Sequence, residues 1–131
     1  MTGLHWLAAV VLLTLLGAFP YVVQRTLALG PSRAFGNPTI DGDLSMAPWA
    51  QRSKRAHANA VENLALFAPA LLAAHALNVS PGTLSSAAFI YFWVWVTHYV
   101  VYLLGIPVVR TLAHLVGLSA IAWIVIQIPA R

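Results

Sequence analysis

Residues 4–23 read LHWLAAVVLLTLLGAFPYVV, an apolar run with no Asp, Glu, Lys or Arg and only His5 to carry charge near neutral pH. A helix of about 20 such residues covers the roughly 30 Å hydrocarbon core of a bilayer. Pro20 is expected to bend the end of this run, and Gln24 and Arg25 mark its exit, so the first span is expected at about 4–25. No basic cluster of a secretory leader precedes it, so the run is expected to stay in place as a membrane helix.

The rest of the chain fits the same reading. Of its 131 residues 60 % are hydrophobic and only 8 % charged, where a soluble domain carries about 25 % charge. That composition excludes an ordinary cytosolic globule, a disordered chain and a nucleic-acid binder; seven Lys and Arg are too few for a face that tracks phosphates. One domain, 1–131, is expected. Three further spans are expected at about 48–77, 84–104 and 108–128, giving an all-α membrane protein, a four-transmembrane-helix bundle. Gly30-Pro31, Asn37-Pro38 and Asp41-Gly42 mark 29–48 as a loop, Asn78 to Gly82 is a short turn, and Gly105-Ile106-Pro107 is another. Asp41-Gly42-Asp43 lacks the spacing and the distal Glu of a calcium loop and reads as a turn, so no metal is expected. There is no cysteine, hence no disulfide, no zinc–thiolate site and no protein thiol nucleophile. Any thiol chemistry must use a thiol carried by the substrate.

Orientation follows from the basic residues. Arg25, Arg33, Arg52, Lys54 and Arg55 flank the first loop and Arg110 the third, against Arg131 alone at the other side. The first and third loops are therefore expected in the cytoplasm, with both termini on the opposite side.

Polar residues then converge. Arg55, Asn59 and Glu62 are spaced i, i+4, i+7 and share a helix face, with Arg52 one turn earlier and Asn63 continuing the stripe. An ionisable group such as Glu62 within a span costs on the order of 3 kcal/mol unless paired or wetted, and Arg55 is a candidate partner. In the third span His98 and Tyr102 are four apart, with Tyr91 and Trp95 on the same side. Arg110 opens the fourth span with Thr111 beside it and His114 one turn deeper. Given the orientation, all three clusters meet at the cytoplasmic face. Each has a plain reading: Arg52, Lys54 and Arg55 as a headgroup anchor, Asn59 and Asn63 as interhelical hydrogen bonds, His75 and His114 as packing, while His5 is interfacial and carries no signal. The aromatics of the third span, Phe89 to Tyr102, read mostly as packing or lipid-facing, some as lining for an apolar pocket.

The segment Arg55-Ala-His-Ala-Asn59-Ala-Val-Glu62-Asn63, with His98-Tyr-Val-Val-Tyr102 and Pro107-Val-Val-Arg110, resembles the two conserved blocks of the MAPEG family, the membrane-associated proteins in eicosanoid and glutathione metabolism, particularly its bacterial form. The resemblance implies a homotrimer in a bacterial inner membrane, with glutathione bound between neighbouring subunits near the cytoplasmic face. Arg55, Asn59, Glu62, His98, Tyr102 and Arg110 would then bind glutathione, and Arg110 with Tyr102 would be catalytic. It also implies a glutathione transferase or peroxidase whose second substrate, a hydrophobic electrophile or lipid, enters from the bilayer. The residue types suit this ligand, because its carboxylates call for Arg and its ammonium for a carboxylate such as Glu62. Two positions depart from the pattern: Trp95 stands where several members carry Arg, and Asn63 where leukotriene-synthesising members carry Tyr. A non-catalytic lipid-binding or scaffold trimer therefore stays open as an alternative. A small multidrug exporter is the third reading, although its essential carboxylate belongs in the first span, where this chain has none. Arg25 and Arg33 both remain candidates for the family's first-helix Arg.

Overall fold

The computed structural model describes residues 1–37 and 45–128, so Asp41-Gly42-Asp43 and Arg131 lie outside the described residues. The described residues contain helices and no strand: α1 (Gly3–Leu16), α2 (Phe19–Leu29), α3 (Pro31–Ala34), α4 (Pro48–Ala76), α5 (Pro81–Leu104) and α6 (Pro107–Ile126). Proline opens most of them. Pro31, Pro48, Pro81 and Pro107 each stand at the start of a helix, where the missing N–H costs nothing.

The first span differs from its expectation. The chain is helical as far as Leu29, beyond Arg25, and breaks at Gly17-Ala18 rather than bending at its end. The reason is local. Pro20 has no N–H for the Leu16 carbonyl, and its ring would collide with that carbonyl in a continuous helix, so the helix stops one turn earlier and restarts with Pro20 in its first turn. The loop expected at 29–48 also contains the short helix α3.

Two turns carry full hydrogen-bond closure. After α4, Asn78 takes φ 58°, its N–H donates to His75 O (3.1 Å) and the Val79 N–H to Ala74 O (3.0 Å). After α5, Gly105 takes φ 76°, its N–H donates to Tyr102 O (3.1 Å) and the Ile106 N–H to Val101 O (3.0 Å). Both are Schellman closures, which need a left-handed residue, and Gly and Asn are the residues that tolerate one.

Helix α5 is the centre of the bundle and packs against α1, α4 and α6; α4 also packs against α1 and α6, and α2 lies against α4. The core gathers Val10 of α1, Phe67 and Leu71 of α4, Tyr91 and Trp95 of α5 and Ile124 of α6. Phe67 and Tyr91 stack with rings parallel and centroids 3.8 Å apart. Large apolar side chains elsewhere point outwards, among them Leu12, Leu15, Trp93, Leu115 and Trp123, as expected of helices whose outer surface meets hydrocarbon. The stretches Gly3–Leu29, Pro81–Leu104 and Pro107–Ile126 are long and apolar enough to cross a membrane. At 29 residues α4 is longer still, but polar side chains occupy much of its first half.

Candidate functional site

The bundle has two ends. At one, Ser85 Oγ donates to Met1 O (2.8 Å), joining the chain start to the beginning of α5. At the other, the start of α4, the end of α5 and the start of α6 come together, and every residue singled out from the sequence for glutathione belongs to these three helices.

One half of the candidate site forms a contiguous group. Tyr91, Trp95, His98 and Tyr102 occupy the buried face of α5, one helical turn apart. The His98 Nδ1 lies 3.2 Å from Arg110 O. A carbonyl only accepts, so Nδ1 carries the proton and Nε2 holds the free lone pair when the ring is neutral. The Arg110 guanidinium lies over the Tyr102 ring, 4.7 Å from its centroid, within cation–π range. His98 therefore grips the Arg110 backbone while Tyr102 supports its charge. His98 is 1 % exposed, and its Nε2 is buried with no hydrogen-bond partner among the described residues.

The other half stands apart. Arg55 and Glu62 are exposed on the outward face of α4, and Asn59 is half-buried between them. No ion pair joins Arg55 to Glu62 among the described residues; seven residues along a helix separate them by about 10.5 Å. The expected intrahelical partner for Glu62 is thus out of reach. Asn63 does not continue the stripe. It is buried towards the interior, and its Nδ2 donates to Asn59 O at 2.9 Å, closing a bond within its own helix. No hydrogen bond or ring contact among the described residues links Arg55, Asn59 or Glu62 to His98, Tyr102 or Arg110.

Other sequence readings fall into place around this geometry. Thr111 is exposed and its hydroxyl donates to Pro107 O (3.1 Å), so it is committed to its own helix. His114 is half-buried with its ring 5.9 Å from His98. Trp95, 3 % exposed, packs 4.6 Å from the His98 ring and against α6 at Gly117, whose missing side chain makes room for the indole. The tryptophan fills the bundle interior and does not share the outward face of Arg55 and Glu62. His75 is exposed. No cluster of three metal-ligating side chains exists among the described residues.

Three hydrogen bonds were not foreseen. The Arg52 Nε–H donates to Leu103 O at 2.9 Å, and Tyr99 hydrogen-bonds both Ser53 (2.7 Å) and Gly17 O (2.7 Å). All three join residues more than 45 positions apart in the chain, and no local pattern announces them. Along the outer side of α5 and α6 runs an apolar groove with two cavities of about 460 and 540 Å³, which share Ile90 and Val116 and are flanked by Trp123 and Trp93.

No curated protein and no solved structure matches the chain. A sequence profile of the MAPEG family matches residues 3–129, nearly the whole length. With its three membrane-capable helices and this end-to-end match, the chain is a membrane protein that belongs to the MAPEG family.

Proposed function

We propose that the protein is a membrane-embedded glutathione transferase, with peroxidase activity open to the same thiolate, working at a site between subunits of a homotrimer. Four spans (α1 with α2, α4, α5 and α6) cross a bacterial inner membrane, with the first and third loops in the cytoplasm and both termini opposite. The observation that carries this reading is that Arg55 and Glu62 are exposed on the outward face of α4 with no partner among the described residues. A carboxylate and a guanidinium facing away from their own bundle, in a membrane protein, need an opposite charge from elsewhere. Glutathione supplies both signs. Arg55 takes a carboxylate, Glu62 takes the ammonium, and Asn59 an amide of the peptide. A neighbouring subunit seals the face.

Arg110 is the group for the sulfur. A thiol with pKa near ~8.5 is only a few per cent ionised at pH 7. Lowering it by ~2 units takes about 2.7 kcal/mol of preference for S⁻. A guanidinium held over Tyr102 at the start of α6, in a site closed to bulk water, is of a strength to supply this. The thiol gives its proton to water at the cytoplasmic face. Its sulfur then forms the new bond to an electrophilic carbon, whose displaced electron pair leaves with the departing group or moves along the conjugated system. The hydrophobic partner arrives from the bilayer.

The test is calorimetric titration of glutathione into detergent-purified protein, with Arg55→Ala beside it. A charge-assisted hydrogen bond of about 1.5–3 kcal/mol predicts a 10- to 150-fold loss of affinity in the variant. The outward groove along α5 and α6 favours a second reading, a lipid-binding trimer without catalysis. Folded protein that fails to bind millimolar glutathione would select it.

A further inference from the structure

Arg52 stands in a basic run whose simplest role is to anchor the chain among lipid headgroups. Its geometry is more specific. In the turn from α5 to α6, the Schellman closure at Gly105 satisfies the carbonyls of Val101 and Tyr102, and the Arg110 N–H takes Ile106 O (3.3 Å). The Leu103 carbonyl is left over. Its partner in a continuing helix would be residue 107, and Pro107 has no N–H. Arg52 Nε–H fills that position from across the bundle at 2.9 Å. Gly105 is required by its φ of 76° and not by this contact: a Cβ there would sit in ordinary van der Waals contact with the arginine, 3.5 Å from Nε and 3.6 Å from Cζ.

The position matters because no hydrogen bond or ring contact among the described residues links the two halves of the site directly. Arg55, one turn after Arg52, starts the α4 half. Tyr102, one residue before the Leu103 carbonyl, and Arg110, at the start of the next helix, form the other. The Arg52–Leu103 bond lies between them. We propose that Arg52 is a positioning residue, a latch that fixes the α5–α6 turn to α4 and so holds Arg110 in register with Arg55 and Glu62. Its consequence for turnover rests on the glutathione reading; the latch itself does not.

Charge and donor can be separated by two substitutions. In Arg52→Gln the amide nitrogen occupies the same place along the side chain as the arginine Nε, so the donor stays and the charge goes. In Arg52→Lys the charge stays, but that place becomes a carbon. Hydrogen exchange of the Gly105, Ile106 and Arg110 amides reads the latch, with the Asn78 and Val79 amides of the α4–α5 turn as internal control. Arg52→Lys is expected to speed exchange at the first set about tenfold and leave the control unchanged, while Arg52→Gln stays near wild type. For turnover, Arg52→Lys is expected to lower kcat and move its pH profile to higher pH, with the KM for glutathione changing less than twofold. The reverse order, with lysine near wild type and glutamine impaired, would make Arg52 an anchor and overturn the proposal. Equal acceleration at both turns would overturn it too, as general loosening of the fold. If wild-type protein does not turn over glutathione, the functional reading fails and exchange alone decides the latch.

Discussion

Replacing Tyr99 by Phe removes one oxygen and should loosen three helices at once. The hydroxyl has a single hydrogen and gives it to the Gly17 carbonyl at the α1–α2 break (2.7 Å). The Ser53 hydroxyl of α4 must therefore be the donor in the second bond, Ser53 Oγ to Tyr99 OH (2.7 Å). Side-chain hydrogen bonds in membrane proteins are worth on average about 0.6 kcal/mol and at most about 1.7. Two lost bonds thus give about 1.2 kcal/mol as a central value and about 3.4 as a ceiling. Two local responses favour the lower half. Ser53 can turn its hydroxyl to a carbonyl one turn back in its own helix, and a void of about 10 Å³ lined by Thr14, Gly17, His57 and Tyr99 is close to the space one water needs. The expected loss for Tyr99→Phe is therefore about 1–2 kcal/mol, read by reversible unfolding in mixed micelles. Ser53→Ala alone should lose about 0.6 kcal/mol, and nothing further once Tyr99→Phe is present, because its acceptor is gone. Strictly additive losses would refute the shared-hydroxyl arrangement, and so would a Tyr99→Phe protein as stable as wild type.

Two further outcomes follow from the interior of the bundle. Tyr102→Leu removes the ring beneath Arg110, and a cation–π contact of about 0.5–2 kcal/mol predicts a 2- to 30-fold fall in glutathione turnover. Tyr102→Phe should retain most of the activity, since the ring and not the hydroxyl carries the guanidinium; a large loss in that variant would instead make the hydroxyl a hydrogen-bond donor to the reaction. At Gly117 a Cβ would meet Trp95 Nε1 at 3.4 Å and Val94 Cγ1 at 3.6 Å. Gly117→Ala should therefore be tolerated, with helix propensity of up to about 1 kcal/mol in its favour. Gly117→Val overfills the contact and should lose about 1–3 kcal/mol in the same unfolding assay.

How much of this was legible from residues alone depends on the range of the interaction. Apolar runs and turn chemistry act within a few residues, so the turns at Asn78 and Gly105 and the helix start near Pro48 were readable, whereas Pro81 and Pro107, assigned to those turns, in fact open the next two helices. The grouping of His98, Tyr102 and Arg110 was also readable, because a short turn returns the chain antiparallel and brings residues on either side of it together. The break at Gly17 was not read, because the effect of Pro20 falls on a carbonyl four residues before it, inside an unbroken apolar run. Asn63 was misplaced on the Arg55 stripe because one step beyond Glu62 turns the helix by 100°, enough to swing a side chain from the outer face to the core. Arg52 and Tyr99 were invisible for a different reason. Their partners are backbone carbonyls of Leu103 and Gly17, and a carbonyl has no identity in a sequence.

The polar groups of this bundle divide into two kinds, and the division bears on what the working unit is. Inside, His98, Asn63, Tyr99 and Ser53 each hold at least one partner from the same chain, although His98 Nε2 and Asn63 Oδ1 are buried without one among the described residues. Outside, Arg55 and Glu62 have none among the described residues, yet they share a helix face otherwise made of small and apolar side chains such as Ala58, Ala65 and Ala73. Small residues at this spacing let another helix approach closely. A face that invites close packing while carrying one charge of each sign is poorly suited to lipid and equally poorly suited to a plain apolar interface. It suits a seam that closes around a zwitterion. On the proposed reading, a seam ligand that touched both α4 and the start of α6 would be gripped only if those two elements did not slide, and the Leu103 carbonyl, orphaned by Pro107 and bonded by Arg52, gives α4 a fixed point at the turn itself.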